Sequence, residues 1–187
     1  FTPLILRYFA MIFGFILILW FVAAYNSLVT LRESVDTAWA QVENQYQRRA
    51  DLIPNLVNTV KGFAAQEKDI FLQVTQMRSA WAGAATRSEQ IGAAKGMDSA
   101  ISRLLLVAEN YPNLKSNENF LALQSQLEGT ENRITVERMR YNEAVRSYNI
   151  KIKRIPTVII ARLFGYEAES YFEIEEGTEQ VPEVTFG

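Results

Sequence analysis

The sequence predicts an all-α protein, in which one N-terminal transmembrane helix precedes an elongated antiparallel bundle of three to four helices and a short, acidic, irregular C-terminal tail. Three observations predict this fold. A long apolar segment near the N-terminus carries no charge. Two further stretches repeat apolar residues every three to four positions, which is the period of an α-helix. Glycine and proline number only 9 and 5 in 187 residues, too few for the turns of a many-stranded fold.

The predicted transmembrane helix occupies residues 1–25. No charged side chain lies between Arg7 and Arg32, and residues 8–25 are apolar apart from a single glycine. About 18–22 helical residues cross the roughly 30 Å hydrocarbon core of a bilayer. A cleaved signal peptide is the alternative, although its apolar core is normally shorter and is followed by a small-residue cleavage site. We therefore predict a single-pass protein of the cell membrane, and the few flanking charges favour a body outside the cytoplasm.

The bundle, which is predicted to fill residues 26–165, begins with a long helix from Asn26. No glycine or proline separates this helix from the apolar segment, so we expect one continuous helix through both. Pro54 is expected to kink it because proline removes a backbone hydrogen bond, and Arg49 interrupts its apolar stripe. The stripe consists of Leu28, Leu31, Val35, Ala38, Val42, Tyr46, Ile53, Leu56, Val60 and Phe63.

A second long helix of similar length is expected to pack antiparallel to the first. Ser116 is its predicted N-terminal cap, since a serine side chain can accept a hydrogen bond from the first turn. Pro156 is predicted to end it, because the residue before a proline disfavours helical geometry. Its apolar stripe consists of Phe120, Leu123, Leu127, Ile134, Tyr141, Val145, Tyr148, Ile152 and Ile155.

Shorter helices are predicted on both sides of the second long helix. Residues 66–82 form the first of them, and the next begins after a capping-box sequence at residues 86–89 and runs to Asn110. A turn around Pro112 then leads into the second long helix. Residues 156–165 are predicted to form one more short helix, which a glycine stops.

Cysteine and histidine are both absent from the sequence. Their absence excludes disulfides, thiol nucleophiles, zinc sites built from these residues and acid–base catalysis by histidine. No P-loop, dinucleotide-binding or EF-hand motif occurs in the chain. The sequence therefore predicts a protein that is not an enzyme and that binds no cofactor, no metal and no nucleic acid.

Polar side chains are unusually dense on the two long helices. A charge inside a bundle costs about several kcal/mol unless it is paired. We interpret these residues as a buried polar network that fixes helix register, with a partner-binding groove as the alternative and carboxylate catalysis as a distant third. The candidates are Asn44, Gln45, Arg48, Arg49, Asp51, Asn55, Glu131, Asn132, Arg138, Asn142 and Asn149.

Charge is distributed unevenly along the chain. All 19 Lys and Arg residues precede residue 166 together with 14 acidic residues, whereas the predicted tail of residues 166–187 holds 7 Glu and no basic residue. This asymmetry predicts that the tail docks on a basic surface, of its own subunit or of a neighbour, and a solvated tail is the alternative. Binding of anionic lipid or nucleic acid by the basic residues is a further alternative, for which the tail is the simpler partner. The docking candidates are Arg146, Lys151, Lys153, Arg154, Arg162, Glu173, Glu175, Glu176 and Glu179.

Several segments of the chain resemble LemA-family proteins, and the resemblance extends from about Asn26 to Phe186. It implies an N-terminal membrane anchor and an antiparallel helical bundle in a bacterial protein, and it implies no particular reaction. The segments are Val42 to Val57, Tyr111 to Lys115, Asn117 to Phe120, Leu127 to Ile134, Tyr141-Asn142, Tyr148-Asn149, Phe164-Gly165 and Tyr171-Phe172.

Function is predicted at the level of class. We expect a scaffold subunit that self-assembles at the bacterial membrane into a ring or filament, with the lipid membrane and further copies as its partners. An adaptor that binds another membrane protein or a peptide through the bundle is the alternative. The first five residues resemble a processed type IV pilin start, but Ile5 replaces the acidic fifth residue, so a pilin-like filament subunit is a distant alternative.

Overall fold

The computed structural model describes residues 2–172, with side chains from residue 6 onward. Within that range it contains helices and no strand, which confirms the all-α prediction. The tail candidates Glu173, Glu175, Glu176 and Glu179 lie outside the described residues. The helices are α1 (Thr2–Lys61), α2 (Lys68–Gly83), α3 (Arg87–Ala108), α4 (Pro112–Lys115), α5 (Glu118–Lys153) and α6 (Thr157–Leu163).

Helix α1 runs without interruption from the apolar segment into the bundle, as predicted. Its 60 residues measure about 90 Å at 1.5 Å per residue. The helix continues through Pro54 and ends at Lys61. Apolar side chains between residues 6 and 22 are exposed, and burial begins at Ala24. Among the described residues, α1 is the one helix that is long and apolar enough to cross a membrane.

Helix α5 returns along the bundle part of α1 in the antiparallel direction. The rings of Trp39 and Tyr141 meet at 5.1 Å between centroids, and Arg49 pairs with Glu131. In both facing pairs the two residue numbers add to 180, so the register is constant along the pair. The same register places the end of α5, at residue 153, opposite residue 27 of α1.

Helices α2 and α3 form a hairpin against the distal part of this pair. Phe71 lies beneath Lys61, and Trp81 packs against Tyr46 at 4.9 Å between ring centroids, so α2 runs antiparallel to α1. After the turn, α3 runs beside α1 in the same direction. Together α1, α2, α3 and α5 make a four-helix bundle, and α3 reaches down only to the level of Asp36.

The predicted capping box at the start of α3 is present. The Glu89 backbone N–H donates to the Thr86 hydroxyl, and the Glu89 carboxylate accepts from the Ala85 and Thr86 backbone N–H groups. The cap of α5 differs from the prediction. Asn117 accepts a hydrogen bond from the Phe120 backbone, whereas the Ser116 hydroxyl donates back to the preceding turn.

Replacing Thr86 with alanine is expected to lower the free energy of unfolding by about 1 kcal/mol, because one orphan N–H of α3 loses its acceptor. The hydrogen bonds from Ala85 and Thr86 lower the pKa of Glu89, so its contribution is full above the ordinary pKa of 4.5 and disappears as pH falls through the lower native value. Chemical denaturation in detergent at neutral and acidic pH measures both effects. An unchanged midpoint for Thr86→Ala would contradict the capping role.

Two residues expected in the core are exposed instead. Phe63 is 40% exposed because α1 ends at Lys61, before the stripe is complete. Ile155 is 86% exposed because α5 ends at Lys153 and the chain turns into α6. The predicted short helix after Pro156 is present as α6, and Gly165 follows it with a φ of 71°, which an L side chain rarely adopts.

Candidate functional site

A cluster of charged side chains lies where α1, α3 and α5 meet. We call it the charge cluster, and its members are Tyr46, Arg49, Asp98, Glu131 and Arg138. Arg49 Nη1 lies 3.1 Å from Asp98 Oδ1, and Arg49 also pairs with Glu131. Arg138 pairs with Asp98 Oδ2, to which the Tyr46 hydroxyl donates a hydrogen bond of 2.9 Å. Asp98 thus bridges two arginines and ties three helices together.

The surroundings of the charge cluster explain this pairing. Arg49 is only 5% exposed and lies on the apolar stripe of α1, where an unpaired charge would be costly. Burial lowers the pKa of Arg138 to about 10, so its guanidinium stays protonated at neutral pH. Two cations and two carboxylates therefore balance. The named members carry no excess charge for an ionic substrate, and the arrangement is suited to fixing helix register.

Chemical groups for catalysis are poorly represented in this region. Within the described part of the chain, no group of three acidic side chains is placed to hold a metal ion. Both carboxylates of the charge cluster contact an arginine. Burial raises the pKa of Tyr141 to about 12, so its hydroxyl is a proton donor, not a base, at neutral pH. That hydroxyl is used for a structural contact described next.

The segment after α6 lies extended along α5, and we call residues 166–172 the strap. Two asparagines of α5 bind its backbone. Asn149 donates to the Glu169 carbonyl and accepts from the Glu169 N–H, both at 2.9 Å. Asn142 makes the same pair of bonds with Phe172, at 2.9 and 2.8 Å. Each asparagine therefore pairs with the backbone N–H and C=O of one strap residue, as a neighbouring β-strand would.

A tyrosine precedes each of these asparagines and adds a third bond. The Tyr148 hydroxyl donates to the Glu167 carbonyl at 2.9 Å, and the Tyr141 hydroxyl donates to the Ser170 carbonyl at 2.7 Å. Seven residues of helix rise about 10.5 Å, and three extended residues span about 10 Å. The two Tyr-Asn pairs, which are seven residues apart on α5, therefore meet equivalent strap residues that are three residues apart.

Charged contacts fix the middle of the strap, and aromatic contacts fix its C-terminal end. Glu169 pairs with Arg32 of α1 and, at 2.8 Å, with Arg87 of α3. Burial works against the charge of Arg87, but its hydrogen bond to Asp36 and the attraction of Glu169 outweigh this, so its pKa is raised. Phe172 is 1% exposed, and the guanidinium of Arg138 lies 4.4 Å from its ring centroid. The strap thus reaches the charge cluster.

The predicted polar candidates separate into three groups. Arg49, Glu131 and Arg138 belong to the charge cluster, and Asn142 and Asn149 bind the strap. Gln45 is partly buried. The remaining candidates are exposed and lie outside the buried contacts, and they are Asn44, Arg48, Asp51, Asn55 and Asn132.

Several functional contacts were not predicted from the sequence. Asp98 is missing from the predicted candidates. It directly follows buried Met97 and precedes buried Ile101 by three residues, so its position at the edge of a packed helix face is visible in the sequence. Arg32 and Arg87 were not expected to meet Glu169. These pairs join residues far apart in the chain, and no local pattern identifies them.

The basic residues expected to receive the tail lie at the end of the body that is nearest to the exposed apolar segment of α1. None of them forms an ion pair with another described residue, whereas Glu169 of the strap pairs with Arg32 and Arg87. Docking of the tail carboxylates therefore stays a prediction. The basic candidates are Arg146, Lys151, Lys153, Arg154 and Arg162.

An open groove of about 610 Å³ lies between α1 and α5, at the end of the body nearest to the exposed apolar segment. The Ser34 hydroxyl donates to the Thr30 carbonyl and the Thr30 hydroxyl to the Asn26 carbonyl, so their polar atoms are satisfied within α1. The groove therefore presents mainly carbon atoms between a few charged rim residues. Its lining residues are Val29, Thr30, Glu33, Ser34, Thr37, Ala38, Gln41, Glu137 and Arg140.

Comparison with known proteins identifies relatives of the whole body. The LemA family matches residues 38–186. Magnetosome protein MamQ 2 of Paramagnetospirillum magneticum is 29% identical over 80% of this chain and 64% of that protein. Magnetosome protein MamQ of Magnetospirillum gryphiswaldense is 28% identical over 79% of this chain and 64% of that protein.

A third relative carries the family name. Protein LemA of Metamycoplasma hominis is 21% identical over 83% of this chain and 72% of that protein. The chain spans less than two thirds of the magnetosome relatives, at 64% of their length. The family match covers the bundle from residue 38 onward, the charge cluster and the strap. The chain belongs to the LemA family.

Proposed function

We propose that this protein is a non-enzymatic scaffold, anchored in the bacterial membrane by α1, whose bodies assemble side by side. One observation carries the proposal: a single helix extends from an exposed apolar segment into a bundle that leaves an apolar groove open beside it. The anchor supplies a fixed orientation, and the groove supplies a surface for a neighbour. Rings and filaments are the assemblies that such a contact can build.

The exposed apolar segment supports the anchor. Side chains from Leu6 to Val22 expose roughly half of their surface or more for the most part, and none of them is buried by the bundle. In water this surface would be costly at about 25 cal/mol per Å². In a bilayer the same surface faces hydrocarbon, and Trp20, Phe21 and Tyr25 lie where an interfacial aromatic belt is expected.

Continuity of α1 supports assembly. Because the anchor and the body share one helix, copies in the same membrane stand in the same direction. Confinement to a plane removes part of the translational and rotational entropy that association in solution costs. A groove of modest area can then hold a neighbour that would dissociate in solution. We place the bodies outside the cytoplasm, as the flanking charges of the span favour.

The groove is the proposed contact with a second copy. Small side chains at Thr30, Ser34 and Ala38 allow a neighbouring helix to approach closely. The rim residues Glu33 and Arg140 offer charges of both signs, which can set the register of the partner. A groove that receives a different face of the neighbour gives a head-to-tail contact, which leads to a ring or a filament.

Photo-crosslinking tests the groove, because the chain has no cysteine and single-cysteine labelling is clean. Ser34→Cys places a benzophenone in the groove, and Ser102→Cys places it on α3. The two positions match, since both hydroxyls donate to the carbonyl four residues earlier and both are exposed. We expect covalent multimers in membranes from Ser34→Cys and far fewer from Ser102→Cys. Equal yields, or none from Ser34→Cys, would overturn the proposed contact.

Adaptor function is the second candidate, and the strap favours it. The hydrogen bonds that the Tyr-Asn pairs of α5 make with the strap go to its backbone atoms, so an extended peptide of another sequence could make the same bonds. Loosening the strap with Asn142→Ala would then increase capture of a partner. Membrane extracts that yield a stoichiometric second protein with both the wild type and this variant would favour the adaptor, and copies of the chain alone would favour the scaffold.

A further inference from the structure

We propose that α6 is a second membrane contact, which lies in the bilayer interface beside the span and binds the phosphates of anionic lipids through flanking basic side chains. This inference rests on the membrane anchor of the proposed function. It concerns a different part of the chain and does not require self-assembly. Its occupant is a lipid surface, and the experiment below separates it from a protein partner.

An exposed apolar stripe runs along α6 and the turn before it. Ile155 lies in that turn, two residues before the helix, and Ile159 and Leu163, four residues apart, share one face of α6. They are 86%, 67% and 71% exposed. The opposite face is packed against the body through Thr157, Ile160 and Ala161. A helix that buries one face and leaves two large aliphatic side chains exposed on the other, next to a third in the preceding turn, has the pattern of an interfacial helix.

Aromatic contacts place α6 at the level where the apolar segment of α1 ends. The Phe164 ring lies 4.9 Å from that of Tyr25 and 6.2 Å from that of Phe21, measured between centroids. The register of α1 and α5 agrees, since residue 153 stands opposite residue 27. The exposed stripe of α6 is therefore continuous with the exposed apolar surface of α1, which ends at Val22.

Basic side chains surround the stripe. Lys153 and Arg154 precede it, and Arg162 lies in the last turn of α6. All three are exposed, and none forms an ion pair with another described residue. Basic side chains at the edge of an apolar interfacial surface are placed to reach lipid phosphates while their stems stay in the interface.

The exposed stripe lies beside the span, which favours lipid over a second protein as its occupant. A protein partner on the stripe would have to enter the same layer as Phe21 and Tyr25. The bilayer occupies that layer already if α1 crosses it. The tail carboxylates and a second copy remain as outcomes that the experiment can detect.

Fluorescence quenching in vesicles tests the depth of α6. Single cysteines carry an environment-sensitive dye at Ile159→Cys on the stripe, Ile12→Cys on the span and Leu106→Cys on α3. The residue on α3 is 61% exposed, close to the 67% of Ile159, and serves as the matched control. The protein is reconstituted in phosphatidylcholine with phosphatidylglycerol, and nitroxide lipids carry the quencher near the headgroup or near the end of the acyl chain.

We expect the dye at position 159 to be quenched several-fold more by the shallow nitroxide than the dye at 106, and the dye at 12 to be quenched by the deep nitroxide. Quenching at 12 without quenching at 159 would overturn the interfacial contact and leave the anchor intact. A dye at 12 that neither nitroxide quenches would overturn the anchor itself.

The basic residues are tested by the variant K153Q/R154Q/R162Q. If they bind lipid phosphate, phosphatidylglycerol raises the quenching at position 159 in the parent and fails to do so in this variant. Changing Glu173, Glu175, Glu176 and Glu179 to glutamine is then expected to have no effect. A response to the tail changes, with none to phosphatidylglycerol, would assign the basic residues to the tail and contradict the lipid contact.

Discussion

Asp98→Ala is expected to reduce the free energy of unfolding of the bundle by about 3–5 kcal/mol, the usual cost of breaking a buried ion pair by removing one partner. The substitution leaves Arg49, which is 5% exposed, close to Arg138 without the carboxylate that bridges them. The partly buried Arg138 would lose its carboxylate, and Arg49 would keep only Glu131. Urea denaturation in a mild detergent, followed by helical circular dichroism, measures the loss.

Arg140→Ala is the control for this substitution. Arg140 pairs with Glu137 on the surface of α5 and is 67% exposed, so its removal should cost about 0.5 kcal/mol or less. Adding Arg138→Met to Asp98→Ala should recover part of the loss, because it removes one of the two cations. A cost for Asp98→Ala as small as that of the control would show that the charge cluster does not hold the helices together.

Phe172→Ala is expected to cost about 3–5 kcal/mol, the range of buried phenylalanine truncations, and to release the strap. The ring is 1% exposed, stacks on Tyr46 at 6.1 Å and lies beneath Arg138. Hydrogen exchange reads the release directly. The backbone N–H groups of Glu169 and Phe172 are bonded to asparagine side chains, and both should lose their protection.

Asn149→Asp tests the hydrogen bonds of the strap with a side chain of almost the same shape. The carboxylate cannot donate to the Glu169 carbonyl and would repel it, so exchange at the Glu169 N–H should rise. Asn132→Asp, at an exposed position of the same helix, is the control and should leave exchange unchanged. Full protection of the strap in Asn149→Asp would contradict the assignment of these bonds.

The helices could be predicted because their signals are local. Apolar spacing identified α1 and α5, and the capping box indicated where α3 begins, with Thr86 as its N-cap. The errors occur where a helix ends, at Phe63 and Ile155, since spacing continues past the residue at which the chain turns. Ile155 shows this, because its spacing from Ile152 continues the stripe of α5, whereas the chain places it exposed in the turn before α6.

The candidate site could be predicted only in part. Arg49 on an apolar stripe requires a carboxylate, but the sequence does not show whether Glu131, Asp98 or both supply it. The strap is harder still, because Asn142 and Asn149 bind backbone atoms that every sequence carries. The sequence shows the Tyr-Asn repeat, but only the structure shows that its seven-residue period serves to bind the extended strap.

Electron cryo-microscopy of the protein extracted in lipid nanodiscs, without detergent, tests the proposed scaffold most directly. We predict particles in which the helical bodies of several copies stand in the same direction on one face of the bilayer and touch along the groove between α1 and α5. The α6 segments should lie at the lipid surface. Particles that hold a single copy at every protein concentration, or bodies whose grooves face only solvent, would contradict the proposed scaffold.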